Sequence, residues 1–253
     1  MDKRPIIAGH SHISAMGVPL SLSDEQNRLV ELQSGDTRFA GFTGPWLPGG
    51  RKDNYWQDLA AVAAERTVLL FWMGNQHLAA FMFRRDPPID FVFSDAVDDM
   101  LINDAYIVPE SLVRERLSDG FAEFKGTIEI LKNIPGVRII ICASPPPKEN
   151  NDMMREFLSQ FWEYWGKIAG TSVDKMVLAD TSLMSKLWRL LQKMYYELAA
   201  EMNIEYLGPP PGVFTEMGTL KQEYWFHDSA HANEKYGALF LDNAWNVCNY
   251  GAA

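Results

Sequence analysis

The sequence is sparing with cysteine, histidine and basic clusters. Its two cysteines, Cys142 and Cys248, are too few for a disulfide framework and read as buried free thiols. No stretch approaches the roughly 18 consecutive apolar residues of a membrane span. After the first charges only Ile6, Ile7 and Ala8 form an apolar run, well short of the apolar region of a signal peptide. These absences lead to the expectation of a soluble, cytoplasmic protein with no membrane partner. Basic runs never exceed two residues, and 33 acidic against 23 basic side chains give a net charge of −10. Nucleic acid and anionic surfaces both reward basic patches, so neither is an expected partner. The charge says nothing about oligomeric state.

Apolar residues make up 47% of the 253-residue chain and charged residues 22%, a balance that suits one folded domain with a large core. The elements alternate. Ile6–Ala8 reads as a first buried strand, and a second is expected around Leu29–Leu32. The Gly- and Pro-rich stretch from Gly41 to Gly50 reads as loop. Asn54–Arg66 has helical spacing and runs into the apolar strand Thr67–Met73. One long helix is expected over Val113–Ile134, a strand over Val137–Ala143, and a helix over Ser182–Met202. A strand at Ile204–Leu207 and a final helix from Glu234 to Val247 complete the order. Strands separated by helices imply right-handed crossovers and a parallel sheet covered on both faces. The chemistry of such a sheet sits at the carboxyl ends of its strands. The expectation is a single α/β domain over residues 1–253. Segments of about 81–110 and 150–180 exceed ordinary connections and are candidate lid insertions.

Histidine is concentrated. All five, at 10, 12, 77, 227 and 231, fall in three short segments, two of which follow strands. Beside them stand Ser11, Asn75 and Asp228, and two chemistries could use the set. In nucleophilic acyl transfer a serine hydroxyl needs an imidazole to take its proton, and the imidazole needs a carboxylate to fix its tautomer. Ser11, His231 and Asp228 supply these, with Asp228 three residues before His231. Asn75 at a strand end supplies a donor for the developing oxyanion, worth roughly 3–4 kcal/mol in comparable sites. In metal-assisted hydrolysis, His10 and His12 would share an ion, with His77, His227 or Asp228 completing the set. That arrangement suits an eight-stranded barrel, whereas only about five strands are counted here.

Taken in order, the blocks resemble those of the SGNH (GDSL-like) hydrolases. Gly9-His10-Ser11-His12 is similar to the nucleophile block, Gly74-Asn75-Gln76 to the asparagine block, and Asp228-Ser229-Ala230-His231 to the Asp-x-x-His block before the last helix. The resemblance implies a flavodoxin-like three-layer α/β/α sandwich with a five-stranded parallel sheet. It implies catalysis by Ser11, His231 and Asp228 without a cofactor, and an oxyanion hole from the Ser11 amide, Asn75 and a loop glycine, Gly44 or Gly49. His10 and Gln76 stand where the family carries aspartates. A histidine directly after the serine, as at His12, resembles variants found in sugar O-acyl transfer proteins. The implied function is a serine hydrolase of acyl esters, acetyl esters of a small molecule or saccharide foremost. The alternatives are an O-acyltransferase, a metal-dependent hydrolase using His10 and His12, and an inactive binding module. His12, Trp46, His77 and Trp225 are the candidate substrate contacts, since aromatic faces suit sugar rings or acyl chains.

Overall fold

The computed structural model describes residues 2–20, 26–47, 50–51, 54–95, 101–170, 172 and 175–250. Three apolar strands form the middle of a sheet: β1 (Ile6–Gly9), β6 (Thr67–Phe71) and β9 (Arg138–Cys142). Their alternate side chains serve two separate cores, as the two-residue strand period requires. Ile6, Ala8, Val68, Leu70, Ile139 and Ile141 pack into one cluster. Ile7, Leu69, Phe71, Ile140 and Cys142 pack into the other. Runs that are apolar at every position are what a sheet buried on both faces demands.

The sheet has six strands, in the order β10-β9-β6-β1-β3-β2. Five of them run parallel: β3 (Ala40–Thr43), β1, β6, β9 and β10 (Glu205–Leu207). At the edge, β2 (Arg28–Val30) pairs antiparallel with β3. The strand expected near Leu29 is therefore the antiparallel edge. The second parallel strand lies within the segment read as loop. All four residues of β3 are buried, and a Cβ on Gly41 would come within 2.9 Å of a Val18 methyl. The glycine is there for packing. After β3, β4 (Trp46–Leu47) and β5 (Gly50–Arg51) form a short hairpin.

Helices α1 (Tyr55–Val62), α2 (Gln76–Phe81), α3 (Glu110–Leu117), α4 (Phe121–Lys132) and α7 (Thr181–Glu201) belong to the first core. The expected single helix over Val113–Ile134 is two, broken at Gly120, whose φ is +78°. The second core is closed by a 3-10 helix at Ser11–Met16 and by α8 (Glu234–Tyr250). These two touch backbone to backbone. A Cβ on Gly237 would lie 1.7 Å from the Ala15 carbonyl oxygen. Alanine ordinarily favours a helix over glycine by about 1 kcal/mol, but Gly237→Ala should instead destabilise by about 3 kcal/mol through overpacking. A lowered urea midpoint checks this, and an unchanged or raised one would refute the close approach.

The two long insertions carry structure of their own. The first holds a parallel pair, β7 (Ile89–Asp90) and β8 (Tyr106–Ile107), and the second holds α5 (Asp152–Ser159) and α6 (Trp162–Ala169). They meet where Arg84 N–H donates to Val177 O (2.8 Å) and Ala179 N–H to Met82 O (2.9 Å). The buried pair Lys186–Asp90, at 2.5 Å, ties the first to α7. Among the described residues no helix is long and apolar enough to cross a membrane.

Candidate functional site

The central strands deliver the candidate residues to one end of the sheet. β1 ends at Gly9, and the chain turns directly into the 3-10 helix that opens with Ser11. The first N–H groups of such a helix have no partner within it, which leaves the Ser11 amide available to an oxyanion. The neighbouring strand β6 leads to Asn75, which stands at the N-terminus of α2. Both turns are held together. His10 N–H donates to Phe71 O (2.9 Å), and Met73 N–H donates to His10 Nδ1 (3.2 Å). His10 thus clamps the Ser11 turn to the Asn75 turn, and its ring lies against Trp56 and Trp72. Gln76 plays a matching part. Its Oε1 accepts from Gly74 N–H (3.0 Å) and its Nε2 donates to the Tyr195 hydroxyl (3.1 Å).

Asp228 and His231 arrive from the far end of the sequence, on the loop before α8. His231 Nδ1 and Asp228 Oδ2 are 2.6 Å apart. Asp228 Oδ1 accepts from the backbone N–H groups of Ala230 (2.9 Å) and His231 (2.7 Å). The three-residue spacing lets one carboxylate cap its own turn and orient the ring. Burial works against ionisation of Asp228, but the His231 ring and the two amides outweigh it and hold the carboxyl well below its usual range. An ionised Asp228 favours the tautomer in which Nδ1 carries the hydrogen and Nε2 keeps its lone pair. Nε2 is buried, with no hydrogen-bond partner among the described residues.

His12 is the link between the two halves. Its ring centroid lies 5.2 Å from that of His231, and its Cδ2 is 3.4 Å from where a Cβ on Gly74 would sit. It is 3% exposed, and both ring nitrogens lack a partner among the described residues. Burial, and then the proximity of His231, push its pKa well below the ordinary value against the pull of Asp228. Burial also takes His77 down to about 3 and, with the charge of Arg51, His10 to about 4. All three rings are neutral at pH 7. An open cleft of about 610 Å³ leads to His231, with Ser14, Gln33, Trp225, His227, Asp228 and Asn233 among its walls. Ser14, one turn along the 3-10 helix from Ser11, donates to Ser11 O (2.9 Å).

The remaining expected residues are placed as follows. Gly44 is buried after β3, and the Arg51 guanidinium joins it to the end of β1 by bonding Gly9 O (2.9 Å), Leu20 O (2.9 Å) and Gly44 O (3.0 Å). Gly49 lies outside the described residues. Trp46 is in β4. Trp225 is 8% exposed and donates its indole N–H to Leu220 O (2.8 Å), so it forms a wall. His77 is 2% exposed, in the interior. The alternation that would align His10 with His12 on a strand is absent, because β1 has already ended. Among the described residues no three His, Cys, Asp or Glu side chains are grouped to hold an ion.

Besides Arg51, a second residue escaped the reading of the sequence. Lys148, on the segment after β9, has a side chain only 1% exposed. It donates to Phe226 O (2.7 Å) and Asp228 O (2.5 Å), and its Nζ is 3.7 Å from Asp228 Oδ1. The rings of Phe157 and Trp225 lie 5.2 and 5.7 Å from Nζ. Burial brings its pKa down to about 8 against the pull of Asp228, which leaves it mostly cationic at neutral pH. A lone lysine after three prolines carries no signal that separates it from a surface residue.

No family model matches the chain, and no curated protein matches it in sequence. Solved structures do. Phospholipase A1 from Streptomyces albidoflavus NA297 is 12% identical, with 98% of this chain and 100% of that one covered at a TM-score of 0.51. A carbohydrate acetylesterase from Sinorhizobium meliloti is 11% identical, covering 96% of each chain at 0.44. The periplasmic domain of a lipopolysaccharide acetyltransferase from Salmonella ser. Paratyphi A is 14% identical, covering 97% of this chain and 83% of that one at 0.46. The likeness to the phospholipase is one of fold.

Proposed function

We propose that this chain, built on the SGNH-hydrolase fold, transfers acyl groups from esters through a covalent intermediate on Ser11. The observation that carries the reading is the Asp228–His231 pair, 2.6 Å apart, with a partnerless Nε2 on the loop that leads into the helix packed against the Ser11 turn. His231 Nε2 takes the Ser11 proton as Oγ attacks the ester carbonyl. The negative charge on the carbonyl oxygen is met by the Asn75 side chain, the Ser11 amide and the Gly44 loop. The tetrahedral centre then collapses, and the alcohol leaves with the proton from His231. Water, activated by the same imidazole, releases the acid and restores Ser11. A sugar hydroxyl in the place of water would make the chain an O-acyltransferase. Ser11 Oγ and His231 Nε2 are not hydrogen-bonded to each other here, and in unliganded sites such contacts commonly tighten only on binding.

The polar walls of the cleft, with Gln33, His227, Asn233, Glu234 and Lys235, suit a hydroxyl-rich alcohol. Acetyl esters of saccharides are accordingly the substrates to test first. A fluorophosphonate probe should add once, with the adduct mapped to Ser11, lost in Ser11→Ala, retained in Ser14→Ala and unaffected by EDTA. An adduct on Ser14 would move the nucleophile one turn along the cleft. Loss of ester turnover with EDTA would favour metal-assisted hydrolysis. An unlabelled protein that still binds ester without turnover would be a binding module.

A further inference from the structure

We propose that Lys148 is a positioning residue of this site: its buried ammonium holds the 226–228 loop in register with the sheet and offsets the charge of Asp228. The inference rests on the acyl-transfer reading above. Burying an ammonium is costly unless it is paired and hydrogen-bonded. Lys148 meets that condition with two backbone carbonyls, at 2.7 and 2.5 Å, and a carboxylate oxygen at 3.7 Å. Two aromatic rings complete the enclosure, an arrangement that favours a cation over a neutral isostere. Neither carbonyl belongs to regular secondary structure; Phe226 N–H closes the loop onto His231 O (3.0 Å), and Lys148 ties that closed loop to the segment after β9. The segment that carries Lys148 is itself anchored, since Pro147 O accepts from Leu220 N–H (2.8 Å).

The charge has a consequence that the hydrogen bonds do not. A cation beside the carboxylate weakens the attraction of Asp228 for a protonated His231, so the imidazole releases its proton more readily. The other titratable groups around His231 are Asp228 on its own loop, His12 from the 3-10 helix with His10 and His77 behind it, and His227, Glu234 and Lys235 in the cleft. The three buried histidines are neutral. Glu234 and Lys235 are exposed, opposite in sign and screened by solvent. Lys148 is therefore the buried cation placed to act on the pair.

The test uses two variants and the pH dependence of fluorophosphonate labelling of the full chain. Lys148→Gln keeps a donor for the carbonyls and removes the charge, whereas Lys148→Arg keeps the charge. The acid limb of the labelling profile should rise by roughly one pH unit in Lys148→Gln. Labelling near pH 6 should then fall up to about tenfold more than labelling near pH 8. Lys148→Arg should restore the wild-type limb, even if its absolute rate is lower. A limb that stays in place in Lys148→Gln while the wild type labels normally would overturn the electrostatic role. Should Lys148→Gln fail to fold, a limb in Lys148→Arg displaced as far as one unit would overturn it equally. A wild type that does not label at all would overturn the acyl-transfer reading, and the role of Lys148 with it.

Discussion

His231→Ala should abolish ester turnover by about 10⁴-fold or more while leaving the urea midpoint close to that of the wild type. The ring is part-exposed and makes one side-chain contact that matters to the fold, the bond to Asp228. Asp228 still caps its turn through the amides of residues 230 and 231 when the imidazole is gone. Stability and activity should therefore separate. Of the other histidines beside this turn, His12 and His77 are buried and His10 is engaged by the Met73 amide, so on the acyl-transfer reading none of the three is expected to replace Nε2. Asp228→Asn should cost a similar order in turnover, because the amide no longer enforces Nδ1 as the protonated nitrogen. Steady-state rates on an acetyl ester, with urea unfolding in parallel, are the measurements. Retention of more than a tenth of the activity in His231→Ala would sink the triad.

The second large effect is on stability. His10, His12 and His77 are held neutral by burial, with pKa values below the ordinary 6.5. In the unfolded chain each takes up a proton near pH 6.5, so below that pH the unfolded state binds more protons and stability falls as the pH drops. The loss begins at about pH 6.5 and continues to about pH 4 for His10 and about pH 3 for His77. Between pH 6.5 and 5 His10 and His77 each contribute a loss of about 2 kcal/mol, and His12 adds a loss in the same direction. The three together approach the whole stability of an ordinary domain, about 5–15 kcal/mol. Asp228, whose pKa is depressed, adds its own loss only at still lower pH, as the unfolded carboxyl begins to protonate. The urea midpoint should be flat from pH 8 to 7 and fall steeply below 6.5, and His77→Leu should reduce that slope by about a third. A midpoint unchanged between pH 7 and 5 would mean that the rings are hydrated in solution.

Most of the sheet was legible because buried parallel strands are apolar over their buried length, as Ile6–Ala8, Val68–Phe71 and Ile139–Cys142 are. The misreadings trace to glycines. Gly41 made β3 look like loop, although it is there to admit the Val18 methyls. Gly120 was passed over because Leu117, Phe121, Phe124 and Ile128 keep a helical period across the break between α3 and α4. Short motifs pointed to Ser11, Asn75, Asp228 and His231, and of these the structure brings Asp228 and His231 into contact, a pairing that local spacing alone can signal. The roles of His10, Gln76 and Arg51 were not legible. Each acts by bonding a backbone group of another turn, and only the folded chain brings those turns together. Lys148 belongs with them, as its partners lie nearly eighty positions further along.

The backbone contact between Gly237 and Ala15 also bears on when the protein becomes active. The turn carrying Ser11 is translated early and the loop carrying His231 late, yet α8 must seat against that turn before the two can meet. A nascent chain still lacking α8 would hold the Ser11 turn beside an unfilled face of the sheet, with the loop that carries His231 not yet seated. On the acyl-transfer reading proposed above, the Ser11 turn and the Asp228–His231 loop would be held against each other only once this helix has docked.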